Sequence, residues 1–264
     1  MRTRVITAVV ALIIFVPLLI IGSWPLLILT IAMGVVGVSE ILRMKHRFLV
    51  SAEAIISFIG VVAIILPNSF WQTVPLIRSS HIVFYILAFL MVLNTIFVKN
   101  RFNFDDAGAL VLTMLYVGIG FHYFYQADTV GLSTVMFGML IVWITDSGAY
   151  MVGRAIGKNK LAPKISPNKT WEGSIGGSVV AVIVVPTLFA LCHWLPEYHY
   201  LELLFFTIML SIAGQLGDLI ESGFKRHYGV KDSGNILPGH GGILDRFDSM
   251  LVVMPLMSIL GMLG

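Results

Sequence analysis

The sequence predicts an all-α protein, a polytopic membrane helix bundle of about nine transmembrane helices, with its N-terminus in the cytoplasm and its C-terminus outside. Three observations lead there. Hydrophobic residues make up 58% of the chain and charged ones only 12%, against about 25% charged in an average soluble domain, and mean hydropathy is +0.93. Apolar runs of about 17–25 residues, the length that crosses a bilayer as a helix, recur between polar, Pro- and Gly-rich joints. Lys and Arg are concentrated in alternate joints, the pattern that marks cytoplasmic loops.

Cutting at those joints gives nine candidate spans: 5–21, 25–42, 53–66, 81–98, 107–124, 131–152, 171–195, 199–223 and 247–263, of which the third is shortest. The first starts with a basic "MRTR" and runs on without a small-residue cleavage pattern, so it reads as a retained span and not a cleaved signal. Arg2 and Arg4 precede it; Arg43, Lys45 and Arg47 follow the second span, Lys99 and Arg101 the fourth, Arg154 to Lys169 the sixth, and Lys225 to Arg246 the eighth. Only Arg78 falls on the opposite side, which fixes the orientation.

Residues 1–100 are N-terminal spans without a motif, whereas 101–264 carry two long polar loops, 153–170 and 224–246, both cytoplasmic in this topology. The outer loops are short, and His193 and His199 in one of them read as interfacial residues among aromatics. The single Cys192 excludes an internal disulfide and a Cys-rich metal site. No nucleic-acid partner is expected.

The first polar block is "TDSGAYMVGRAIGKNKLAPKISPNKTWEGS", Thr145 to Ser174. Asp146 falls about six residues inside the sixth span, roughly 10 Å below its end, and an intramembrane acid is a functional site by default. The following flexible basic loop could serve only topology or anionic lipid. However, Ser166, Asn168, Lys169 and Thr170 stand at the expected start of the seventh span, where free N–H groups and the helix dipole favour a phosphate. "GRAIGKN" lacks the spacing of a P-loop, and Gly173 and Gly177 read as helix-packing residues.

The second block is "GQLGDLIESGFKRHYGVKDSGNILPGHGGILDRFDSM". Asp218, Glu221 and Ser222 share one face of the eighth span, and Asp245 and Asp248 one face at the start of the ninth. If the two faces meet, three or four carboxylates converge and require a cation among them. Oxygen ligands favour Mg²⁺ or Mn²⁺ over Zn²⁺. "PGHGG" reads as a tight turn. Acids to hold a metal beside bases to hold phosphate oxygens is the division of labour that phosphoryl-type transfer needs; on this reading Asp245 and Asp248 bind metal and Arg246 faces substrate.

"SGFKRHYGVKDSGNILPGHGGILDRFD" resembles the signature of phosphatidate cytidylyltransferases, also called CDP-diacylglycerol synthases, at Ser222, Lys225, Arg226, Lys231, Asp232, Pro238, His240, Gly241, Gly242, Asp245, Arg246 and Asp248. The Thr145–Ser174 block is similar to that family's other polar segment. The resemblance implies transfer of the cytidylyl group of CTP to phosphatidate, giving CDP-diacylglycerol and pyrophosphate in phospholipid biosynthesis. It also implies a Mg²⁺ centre on Asp218, Asp245 and Asp248, a homodimer, and a bacterial cell membrane with the site facing the cytoplasm. A second, monovalent ion is compatible with it.

Phosphatidate is nucleophilic as its phosphate anion, so in-line attack on the CTP α-phosphorus needs no activated Ser or Cys. Lys169 with Ser166 and Asn168, and Ser222, Lys225, Arg226 and Lys231, are the expected phosphate-binding groups. Arg246 is expected to stabilise transition-state charge. His240 either donates to a phosphate or braces its turn, and Asp146 completes the metal shell or orients a base. A CTP-dependent lipid or polyprenol kinase would release CDP instead of pyrophosphate, and an ion-coupled transporter would carry its acids near the bilayer midplane.

Overall fold

The computed structural model of the chain describes residues 2–75, 79–98 and 101–263. Arg78 and Lys99, both used in the charge argument, lie outside the described residues. Eleven helices and one small hairpin appear in the order α1 (Arg2–Ile21), α2 (Ser23–Met44), α3 (Ala52–Ile65), α4 (Asn68–Gln72), α5 (Ser80–Phe97), α6 (Phe104–Val130), α7 (Leu132–Ile156), β1 (Lys160–Ala162), β2 (Ser166–Thr170), α8 (Trp171–Leu191), α9 (Tyr200–His227), α10 (Leu244–Phe247) and α11 (Met250–Ile259). Among the described residues seven helices are long and apolar enough to cross a membrane, and α3 and α11 are shorter apolar helices. Pro17, Pro186 and Pro255 sit inside helices, which membrane helices tolerate.

Three expectations are corrected. The loop 153–170 is not wholly irregular: α7 runs on to Ile156, and β1 pairs antiparallel with β2 in the register Lys160↔Thr170 and Ala162↔Ser166. The ninth span is not one helix from 247 to 263, because a tight turn at Asp248–Ser249 separates α10 from α11 and Asp248 Oδ1 accepts the Ser249 N–H at 2.6 Å. Asp245 and Asp248 therefore do not share a face of a continuous helix. Finally, Ser166, Asn168 and Lys169 lie in a strand and not at a helix N-terminus; α8 starts at Trp171 and is capped by Thr170, whose Oγ1 accepts the Gly173 N–H at 3.2 Å.

The chain forms two compact units, Met1–Gln126 with Asp232–Arg246, and Ala127–Lys231 with Phe247–Gly264. In the first, α3 packs on α2 and α5, around buried Leu26, Leu27, Leu42, Ile65, Met114 and Phe121. Trp71 closes one end by donating its indole N–H to Ala63 O at 3.2 Å. The opposite end gathers polar joints. Asp106 at the start of α6 binds Lys45 at 2.9 Å and Arg47 at 2.5 Å, and Arg47 also donates to Arg101 O. The Asp232–Arg246 segment lies at the same end, against Glu40 of α2 and Arg4 of α1.

In the second unit α7 and α8 meet along their length, with α9 against both and α11 against α9. The small-residue face of α8 makes the first contact possible. A Cβ on Gly177 would stand 2.4 Å from Thr145 O, and one on Gly173 2.7 Å from Ala149 O, so only glycine lets the backbones approach so closely. The packing role expected for both is borne out. Neutral side chains bond the three helices at their centre: Thr145 Oγ1 to Ser211 Oγ, Ser178 Oγ to Ser211 Oγ, and Gln215 Nε2 to Ser178 Oγ, each at 2.9 Å. Phe137, Phe189 and Trp194 stack edge to face beyond them.

Candidate active site

The second unit holds a cavity of about 490 Å³ whose wall includes Asp146, Arg154, Asn168, Lys169, Thr170 and Asp218. Each comes from a different local cause. Asp146 lies on α7 ten residues before its last residue, Ile156, about 15 Å along the axis, opposite the glycine face of α8. Lys169 is on β2, the strand that enters α8, and the hairpin is clamped to the start of α8 by Glu172, whose carboxylate accepts the N–H groups of Lys158 and Asn159 at 3.1–3.2 Å.

Asp218 faces the hairpin from α9. Its Oδ2 is 2.6 Å from Lys169 Nζ and its Oδ1 accepts the Ser222 hydroxyl at 3.2 Å, the i, i+4 neighbour. Asp248 arrives from the turn before α11. A Cβ on Gly217 would lie 2.7 Å from Asp248 O, so the glycine beside Asp218 is what lets that turn settle onto α9. Asp248 consequently feels the charges of Asp218, Asp146 and Lys225. Glu221, buried one turn along α9, is neutralised by Lys225 at 2.5 Å.

Asp146, Lys169, Asp218, Ser222, Lys225 and Asp248 are thus brought together within one unit. Arg226 donates from Nε to Ile165 O at 3.1 Å and fastens the hairpin tip to the end of α9. Ser166 and Asn168 precede Lys169 on β2, half-buried and exposed respectively, and Lys231 is exposed.

Asp245, Arg246 and His240 belong to the first unit. Asp245 Oδ2 accepts the N–H of Ser233 and of Gly242 at 2.8 Å each and lies 2.9 Å from the Ser233 hydroxyl. "PGHGG" is the turn expected, bridged by Leu237 N–H to Gly241 O at 3.0 Å. His240 braces it through its backbone, donating N–H to Leu237 O and accepting Arg246 Nε at 2.9 Å.

The residues fit a hard divalent cation by their chemistry. Three carboxylates, from α7, α9 and the turn before α11, stand in mutual electrostatic reach, and like charges gathered in this way need a counter-cation. Among the described residues no three His, Cys, Asp or Glu side chains are already arranged as a ligand set; the positive charge against Asp218 is Lys169.

Sequence reasoning passed over Glu40, a buried acid in the motif-free half, and gave no separate role to Arg154, Gln215 or Glu172. A charged residue within an apolar run was the available signal for Glu40.

Residues 2–263 match the Cytidylyltransferase family. The chain belongs to that family. It is 48% identical over 265 residues to the phosphatidate cytidylyltransferase of Bacillus subtilis (strain 168), covering 98% of this chain and 97% of that one. The phosphatidate cytidylyltransferase of Staphylococcus haemolyticus (strain JCSC1435) is 46% identical over 265 residues, 98% of each chain, and that of Staphylococcus aureus (strain COL) 45% identical over 260 residues, again 98% of each. The resemblance drawn from the second polar block thus extends to the N-terminal half, where hydropathy was the sole likeness visible.

Proposed function

We infer that this chain is an integral membrane enzyme that transfers the cytidylyl group of CTP to phosphatidate, releasing CDP-diacylglycerol and pyrophosphate. The observation that carries the reading is the Lys169–Asp218 pair in a polar cavity that shares Leu161, Ser174 and Gln215 with an apolar groove of about 610 Å³ between α8 and α9. One pocket suits phosphates and the other acyl chains. The end-to-end match to phosphatidate cytidylyltransferases supports that pairing.

Two polyanions must meet, and their repulsion grows as water is excluded. Lys169 and Arg154 answer it from the cavity wall, Lys169 by exchanging the Asp218 carboxylate for a phosphate oxygen. An oxygen of the lipid phosphate attacks the α-phosphorus of CTP; the new P–O bond forms as the bond to the bridging oxygen breaks, and its electron pair leaves with pyrophosphate. No proton has to be removed, so none of the carboxylates is needed as a base. Mg²⁺ bound by Asp218 and Asp248, with Asp146 beside them, would neutralise phosphate-oxygen charge. Asp245 keeps its metal role, and Arg246 its transition-state role, on likeness to the family signature alone.

The topology belongs to the same proposal: nine crossings including the short α3 and α11, the N-terminus and the polar joints in the cytoplasm, the C-terminus outside, in a bacterial cell membrane. The gathering of Arg4, Lys45, Arg47 and the Asp232–Arg246 segment at one end of the first unit supports it. A homodimer and a second, monovalent ion remain part of the reading on resemblance.

The test is turnover of radiolabelled CTP by the pure protein with phosphatidate. CDP-diacylglycerol and pyrophosphate are expected; CDP as the nucleotide product would assign a lipid kinase instead. Turnover undiminished after chelation of divalent ions would remove the metal from the mechanism.

A further inference from the structure

Glu40 is 2% exposed on α2, in a run that is otherwise apolar or small, and a carboxylate so placed is costly unless fully hydrogen-bonded. Its partners all come from the segment two hundred residues later. Oε1 accepts the Ile243 N–H at 2.7 Å; Oε2 accepts the Leu244 N–H and the Ser233 hydroxyl, both at 3.0 Å. The same hydroxyl lies 2.9 Å from Asp245 Oδ2, so one proton serves two carboxylates and couples their positions.

The glycines of the turn follow from these two acids. A Cβ on Gly242 would lie 2.4 Å from Glu40 Oε1, and one on Gly241, at φ +87°, 2.4 Å from Asp245 Oδ2. Gly234 closes the other side, its Cβ position 2.9 Å from Glu40 Oε1. The segment is folded around a pair of carboxylates, one of which is supplied by a membrane helix outside the signature.

We propose that Glu40 is a positioning residue for the reaction: from α2 it sets the pose of Ile243–Arg246 and thereby aims Asp245 and Arg246. The inference rests on the cytidylyl-transfer reading, which gives those two residues their work.

The test compares full-length Glu40→Ala and Glu40→Gln with the parent enzyme by steady-state kinetics and by hydrogen exchange of the 232–246 amides. Glu40→Ala should lower kcat by about 10- to 100-fold, the scale of a misplaced reacting group, while KM for CTP and for phosphatidate changes little. The Ile243 and Leu244 amides should exchange about tenfold faster or more, with α3 and α5 unchanged. Glu40→Gln keeps one acceptor oxygen and should be intermediate in both readouts. If Glu40→Ala does not fold, Glu40→Gln and Ser233→Ala carry the test.

Loosened amides with parental kcat would reduce Glu40 to a structural residue and overturn the proposal, as would unchanged amides and kcat. A parent enzyme that makes no CDP-diacylglycerol would instead overturn the functional reading, whatever the amides do.

Discussion

Lys169, on the second strand of the hairpin, holds its Nζ 2.6 Å from Oδ2 of Asp218 on the neighbouring membrane helix. The pair joins the two polar blocks of the sequence in one place, and the proposed function gives each partner a use beyond the other: the ammonium for phosphate, the carboxylate for a divalent ion. Lys169→Ala should lower kcat/KM for CTP by about 10²–10³-fold, the loss seen when one charge-stabilising donor is removed from an active site. Lys169→Arg should retain a measurable part of the activity. Parental kinetics in Lys169→Ala would exclude the exchange of partners proposed for it.

Asp146, Asp218 and Asp248 repel one another, so neutralising one should separate activity from stability. Asp248→Asn is expected to lose activity by at least about 100-fold and to unfold no more easily than the parent enzyme, because the repulsion is relieved. Detergent-solubilised thermal unfolding and product formation check the two halves. A large drop in melting temperature would show that Asp248 is held by structure and not spent on function.

Gly217 tests how closely α9 and the turn before α11 must approach. The added Cβ of Gly217→Ala meets the Asp248 carbonyl at 2.7 Å and Ser249 Cα at 2.9 Å, so the turn must shift, at a cost of about 1–3 kcal/mol. Activity should fall more than that loss of stability explains, since the shift moves Asp248. Denaturation midpoints measured beside kcat decide it.

The apolar groove gives a selective prediction. Ile212→Trp, filling the space between α8 and α9 where Ile212 lines it, should raise KM for long-chain phosphatidate several-fold, about 1 kcal/mol for roughly fivefold, and leave KM for CTP unchanged. An equal effect on both substrates would place the acyl chains elsewhere.

Sidedness can be read from a native probe. Cys192 is exposed at the end of α8, and the proposed topology puts it outside. A membrane-impermeant maleimide should label it in intact cells, whereas a cysteine introduced at Lys158 in a Cys192→Ser background should be labelled only after permeabilisation. The reverse pattern would invert the topology.

The helices were legible because apolar length is a one-dimensional property: the expected spans differ from α1, α2, α3, α5 and α8 by a few residues at their ends. α6 and α9 run further than expected because polar residues such as Asp105, Asp106, Lys225 and Arg226 extend a helix once apolar neighbours anchor it. The hairpin was hidden by its length and by two prolines, which read as loop. Asp218 and Lys169 could each be singled out from the sequence, but their meeting depends on the packing of α8 on α9 and on the hairpin that carries Lys169. Glu40 escaped because its partners are about two hundred residues away, and two of the three are backbone N–H groups, which leave no complementary side chain to find.

The seam through Thr145, Ser211, Ser178 and Gln215 contains no ionised group. Its bonds therefore neither weaken with ionic strength nor titrate, unlike the pairs of Asp106 with Lys45 and Arg47 at the wetter margin. Such neutral interhelical bonds are worth about 0.6–2 kcal/mol each in a bilayer. A floor built this way keeps its dimensions while highly charged molecules arrive, react and depart above it, so turnover need not be accompanied by rearrangement of the helices beneath.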